Sequence, residues 1–150
     1  MNHFIVEECK EKDLDQLLLL MKSYREFYQV DTIEDQKIVS FLRNILNSEH
    51  AGTFLVCKTE EDKMVGFATL YFTFSSLKLS KALILNDFFT DSAYRNQGVG
   101  QILFDACQDY AKSNNFSHLE WVTDEKNKTA QRFYDKNGSQ KSNWLSYSIS

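Results

Sequence analysis

Arg95-Asn-Gln-Gly98-Val-Gly100 lies between an apolar run, Ala82 to Thr90, and a stretch of helical periodicity. At a strand-to-helix junction, backbone N–H groups and the helix dipole together make an anion site, and glycine lets phosphate oxygens approach the amides. The pair is neither a dinucleotide fingerprint, whose third glycine would fall at Leu103, nor a P-loop, since no Gly-Lys-Ser/Thr follows. A plain turn would use the same residues. The other chemically versatile side chains are scattered. Cys9, Cys57 and Cys107 lack CxxC spacing and read as buried reduced thiols, not as a disulfide framework or zinc knuckle. His3, His50 and His118 form no metal-ligand spacing, so no metal is expected.

The surrounding composition is that of a globular domain. With 150 residues the chain can bury about 70% of its unfolded surface without staples, and one domain spanning 1–150 is expected. Five glycines and no proline leave little room for linkers. The longest apolar run, Leu17 to Met21, is far too short to span a membrane, and Met1 to Lys12 shows no leader-like apolar segment, so a cytoplasmic protein with no membrane partner is expected. The net charge of −4 is uneven: residues 1–35 carry nine acids and four bases, residues 36–150 twelve and thirteen. An acidic front end speaks against nucleic acid and favours a cationic partner, although solvated helix surface gives the same pattern.

Periodicity supplies the elements that must hold the glycine pair. Alternation over His3 to Glu8 reads as a strand, and apolar spacing over residues 13–29 as an amphipathic helix. A second helix carries Ile38, Phe41, Leu42, Ile45 and Leu46, with Thr32 and Asp35 as a near capping box. Thr53–Lys58 and Met64–Phe74 read as a hairpin, and Ala82–Thr90 as the next strand. The helix after Gly98 ends near Asn114-Asn115, and residues 118–123 form another strand. Asn127 is an N-cap for a helix closed by Asn137-Gly138, and the alternating tail from Trp144 to Ile149 reads as a final edge or interface strand. The order βααβββαβαβ is an α/β fold, a mixed central sheet with helices on both faces.

Asp87-Phe-Phe-Thr90, Tyr94-Arg95-Asn-Gln-Gly98-Val-Gly100 and Asn127…Arg132-Phe-Tyr134…Gly138, in that order, resemble the GNAT family of acetyl-CoA-dependent N-acetyltransferases. The resemblance covers roughly residues 63–140. Within the family, Gly66-Phe-Ala, Tyr71-Phe-Thr-Phe74 and Asn86-Asp-Phe-Phe are similar to the diamine (spermidine/spermine-type) and thialysine branch.

The resemblance implies acetyl transfer from acetyl-CoA to a primary amine by direct attack in a ternary complex. Phe88, Phe89 and Thr90 would lie along the pantetheine arm, and the amides of Asn96, Gln97, Gly98, Val99, Gly100 and Gln101 would hold the pyrophosphate. Arg95 would add charge there or serve the structure, and Asn127 would touch the cosubstrate near its thioester. Tyr134 is the implied general acid; a core tyrosine beside Phe133 would look the same in sequence. The diamine enzymes carry Glu where this chain has Asn86, which cannot take a proton. That leaves the base open between Asp87, which strand alternation puts on the opposite face from Asn86, and an ordered water oriented by Asn86. Because an alkylammonium must lose a proton, activity should rise with pH.

Tyr24, Glu26, Tyr28 and Asp31, acids beside aromatics, are expected to seat the amine. The expected partners are a small-molecule amine, either polyamine or amino-acid-like, and a second copy of the chain in a homodimer. A protein lysine or N-terminal acetyltransferase, or a silent acyl-CoA-binding module, are the alternatives.

Overall fold

The computed structural model describes residues 3–150. Strand β1 (Phe4–Glu8) leads through a 3-10 turn into helices α1 (Leu14–Phe27) and α2 (Asp35–Leu46). Strands β2 (Gly52–Thr59), β3 (Met64–Ser75) and β4 (Ser80–Thr90) follow, then α3 (Val99–Ser113), β5 (Leu119–Glu120) and α4 (Lys128–Lys136). The sheet order is β1-β2-β3-β4-β5, antiparallel except for the parallel β4–β5 pair. A mixed sheet with helices on both faces is therefore the observed architecture.

Strand alternation sorts the core into two layers. In β2, Phe54 and Val56 join the cluster under α1 and α2, with Leu17, Leu20, Ile38 and Leu42. Leu55 and Cys57 join the opposite cluster under α3, with Leu103, Phe104 and Cys107. Helical spacing of Leu14, Leu17 and Leu20 on α1, and of Ile38 and Leu42 on α2, presses those helices onto the sheet.

Three local expectations are corrected. The segment Trp144–Ile149 forms no strand: residues 139–150 run as irregular chain, with Trp144 and Ile149 86% and 99% exposed. Alternation can define a strand's faces but cannot supply a sheet edge to pair with. The N-cap of α2 is Glu34, without a side-chain cap bond, so Thr32 and Asp35 make no capping box. The fifth strand is two residues long rather than six, because β5 meets β4 only at Leu83 and Ile84 and then diverges.

That divergence shapes the site. Beyond Ile84 no described strand pairs with the β5-side edge of β4, which runs on to Thr90. A second irregularity lies on the other edge: Thr69 faces Asp87 while Leu70 faces Leu85, so Asn86 is an extra residue bulged out of β4.

A charge cluster fastens the end of the sheet at which β4 reaches Thr90. Lys58, 3% exposed, reaches Asp13 at 2.6 Å, Glu7 at 2.9 Å and Asp62 at 3.2 Å. Burial alone would raise the Asp13 pKa, but the bonds from the Lys58 ammonium and the Lys10 amide outweigh it and hold the carboxyl below its ordinary value. Burial would likewise lower Lys58, yet its three carboxylate partners raise it above an ordinary lysine.

Candidate active site

The glycine pair opens α3. Gly98 is its N-cap at φ +87°, a left-handed conformation that a side chain adopts at a cost. Asn96 is also left-handed at φ +63°. The chain thereby turns so that the amides of Gly98, Val99 and Gly100 precede the regular i→i−4 ladder of α3. A Cβ added at Gly98 or Gly100 would meet no atom within 4 Å, so the space before these amides is open. Together with Thr90, Tyr94, Arg95, Asn96 and Val99 the two glycines line a cleft of about 260 Å³.

Gly66 explains why the helix starts where it does. A Cβ there would stand 3.0 Å from the Phe89 carbonyl oxygen and 3.1 Å from Val99 Cγ1. The bare strand lets the first residue of α3 settle onto β3. Arg95 adds a second tie: its guanidinium lies 5.7 Å from the Phe27 ring centre and 5.8 Å from that of Phe89, and its Nε donates to the Thr90 carbonyl at 3.4 Å. These contacts favour the structural role for Arg95, linking the loop to the end of α1.

The second cleft, of about 320 Å³, lies between the sheet and α1–α2. Its floor carries Phe54, Tyr71, Asn86 and Asp87, and α1 contributes Met21, Tyr24 and Arg25. The remaining wall comes from α2 and the segment before it, with Ile33 and Phe41 among its apolar residues and Lys37 its charge. Asn86 and Asp87 thus share one cleft. Alternation predicts opposite faces for them, and the bulge overrides it. Asn86 Nδ2 donates to Asp87 Oδ1 at 3.2 Å.

Asp87 is the one carboxylate among the lining residues, and two phenols face it. Burial first, and then the Asp87 carboxylate, push the Tyr24 hydroxyl far above the ordinary phenol range, with a hydrogen bond to Asp87 contributing. Tyr71 is raised by burial and by the same charge.

Tyr134, on α4, belongs to the other side of the splayed strands. Its ring packs 5.0 Å from Trp121, 5.7 Å from Phe133 and 6.2 Å from Phe104. Burial, then the neighbouring Tyr28 phenol, raises its pKa, so it stays protonated through neutral and mildly alkaline pH. Tyr28 in turn stands 5.0 Å from Tyr24. Tyr24 itself lines the cleft that holds the Asp87 carboxylate.

Of the expected acceptor residues, Tyr24 lines the Asp87 cleft and Tyr28 stands beside it. Glu26 and Asp31 are exposed and outside its lining, with the Asp31 carbonyl accepting from Arg25 Nη2 at 2.8 Å. Asn127 caps α4 as expected: its Oδ1 accepts from the Ala130 amide at 3.1 Å. Sequence reasoning missed Tyr71, Arg25 and Lys37. Thr69 was also missed; it stands between Phe54 and Asp87 in the cross-strand row, fully buried, with an unpartnered hydroxyl. None has a local sequence signal, because packing of α1 and α2 onto the sheet brings them together.

The residues present fit acetyl-CoA. Open space before the glycine amides suits a pyrophosphate, and the unpaired edge of β4 over Phe88 to Thr90 suits an extended amide arm. Comparisons with known proteins agree. The model of the acetyltransferase (GNAT) family matches residues 16–138. An uncharacterized N-acetyltransferase of Bacillus subtilis (strain 168), YhfO, is 33% identical over 133 residues, covering 89% of this chain and 87% of the relative. The crystal structure of a probable acetyltransferase is 26% identical, with a TM-score of 0.89 and 97% of each chain covered. An aminoglycoside N-acetyltransferase, AAC(6')-Iy, in complex with CoA shares the fold at a TM-score of 0.82 and 16% identity, covering 100% of this chain and 96% of that one. The chain belongs to the GNAT family and is an N-acetyltransferase.

Proposed function

We propose that this enzyme moves acetyl from acetyl-CoA directly to the primary amine of a small molecule seated in the Asp87 cleft. The observation that carries this reading is that one strand, β4, carries Asp87 on the floor of an apolar cleft and, three residues on, Thr90 in the wall of the glycine cleft. When bound, acetyl-CoA supplies a thioester that an amine can attack and a thiolate that leaves. The amides of Gly98, Val99 and Gly100 would hold its pyrophosphate, and the backbone of Phe88 to Thr90 its arm.

Asp87 draws an ammonium to the cleft floor by charge and receives its proton, directly or through a water held beside Asn86. Asn86 cannot itself take the proton, but its amide holds one Asp87 oxygen and so aims the carboxylate. Tyr134, protonated over the working range, is the proton donor at the opposite side.

None of the three cysteines is placed to carry the acetyl group in between. Cys9, Cys57 and Cys107 are all buried, and burial first of all pushes their thiols up to about 12, 11 and 12. A thiolate nucleophile is therefore not available at neutral pH. The absence of an available thiolate supports direct attack.

The test is release of free CoA on incubation with acetyl-CoA and a panel of polyamines, diamines, amino acids and lysine peptides, with products identified by mass. Acetylation of small primary amines is the expected result. Acetylation of lysine peptides alone would overturn the small-molecule reading, and no release with any amine would indicate a silent acyl-CoA-binding module.

A further inference from the structure

Helices α1 and α2 carry four cationic side chains, and they divide by position. Lys22 pairs with Asp35 at 3.1 Å, and Arg43 pairs with Glu11 at 2.8 Å, both outside the Asp87 cleft. Arg25 and Lys37 line the cleft, and neither has a carboxylate partner among the described residues. The Arg25 guanidinium donates one N–H to the Asp31 backbone carbonyl and makes no ion pair among the described residues. Two unpaired cations on the helices thus overlook a floor whose single carboxylate is Asp87.

The charge balance of the lining is positive by one. A polyamine, with a cation at each end, would meet Asp87 with one end and the Arg25–Lys37 pair with the other. That arrangement repels. A molecule with an amine at one end and an anion at the other is complementary to both. Between these poles the wall is apolar, formed by residues such as Met21, Ile33, Phe41 and Phe54, and it suits a hydrocarbon body.

We propose that the acceptor is an amphiphilic amino acid: a primary amine for Asp87, an apolar body against Ile33 and Phe41, and one carboxylate for Lys37 and Arg25. This rests on the reading of the cleft as the acceptor site, and it selects among acceptors within that reading.

Three six-carbon acceptors separate the possibilities: 6-aminohexanoate, hexylamine and 1,6-diaminohexane. In the CoA-release assay, kcat/KM for 6-aminohexanoate should exceed that for hexylamine, which lacks the carboxylate, about tenfold, and 1,6-diaminohexane should be poorest. Lys37→Glu places a carboxylate on the cleft wall, and Lys37 is exposed, so the fold should persist, as thermal unfolding will show. In that variant the carboxylate advantage should vanish and the diamine should gain. A wild-type enzyme that prefers the diamine or ignores the carboxylate, or a preference that Lys37→Glu leaves unmoved, overturns the acceptor assignment while the acetyltransferase reading stands. Turnover of no amine at all overturns both.

Discussion

The two clefts are built from different material. The glycine cleft is a backbone feature: six of its seven lining residues fall within Tyr94 to Gly100, and its binding groups are amides. The Asp87 cleft is a side-chain feature, drawn from two helices, the segment between them and three strands. Amides present the same donors whatever the side chains are, so the first cleft suits a constant ligand. A wall of side chains can be recast by substitution, so the second suits selection among acceptors. Tyr134 belongs to neither lining and packs with Phe104, Trp121 and Phe133 on the α3 side of the sheet.

Substitutions in each part should separate the two. The largest effect is expected from Tyr134→Phe, which removes the proton donor but keeps the ring contacts with Trp121 and Phe104: kcat should fall about 10²- to 10⁴-fold, with acetyl-CoA affinity by calorimetry unchanged. Full activity would remove Tyr134 from the chemistry. Next is Lys58→Met, at a residue that lines neither cleft, which strands the buried Asp13 carboxylate. A loss of about 3–5 kcal/mol in denaturant unfolding is expected, with both KM values intact in the fraction that remains folded. The wild-type cluster also sets a pH window. Asp13, whose pKa is lowered by folding, stabilises the native state above the ordinary carboxylate range, and that contribution is lost as pH falls through its lowered value, below about pH 4. Lys58, whose pKa is raised, contributes below the ordinary lysine value and loses it only as pH rises through the higher folded value.

A smaller and more selective effect is expected from Asp87→Asn: about a 10²-fold drop in acceptor kcat/KM, with the dissociation constant for acetyl-CoA unmoved. A shift in acetyl-CoA affinity instead would erase the division between the clefts. The mildest is Gly98→Ala, which asks a side chain to adopt φ +87° and places a methyl in the open cleft. KM for acetyl-CoA should rise about tenfold, while the order of preference among acceptors stays the same.

The same contrast governs what the sequence reveals. Arg95, Gly98 and Gly100 are neighbours in the chain, so their arrangement is legible as a string, as are the Asn127 cap and the left-handed Gly138 that ends α4. The Asp87 cleft is not legible in that way. Whether Asn86 and Asp87 share a face depends on a bulge opposite Thr69 and Leu70, which period-two reasoning excludes. Tyr71, Arg25 and Lys37 meet only after the helices dock on the sheet. Gly52 is a further case of a feature set by the sheet: it faces the Leu70 carbonyl so closely that a Cβ would collide with it. The tail shows the opposite error: its alternation from Trp144 to Ile149 satisfies a strand pattern without a partner edge.

The central claim is that acetyl passes straight between the contents of the two clefts, with no acetyl-enzyme between them. Initial velocities over a grid of acetyl-CoA and acceptor concentrations test it most directly. The account predicts double-reciprocal lines that intersect, and an unchanged intact mass when the enzyme meets acetyl-CoA alone; parallel lines together with an enzyme heavier by one acetyl group would contradict it.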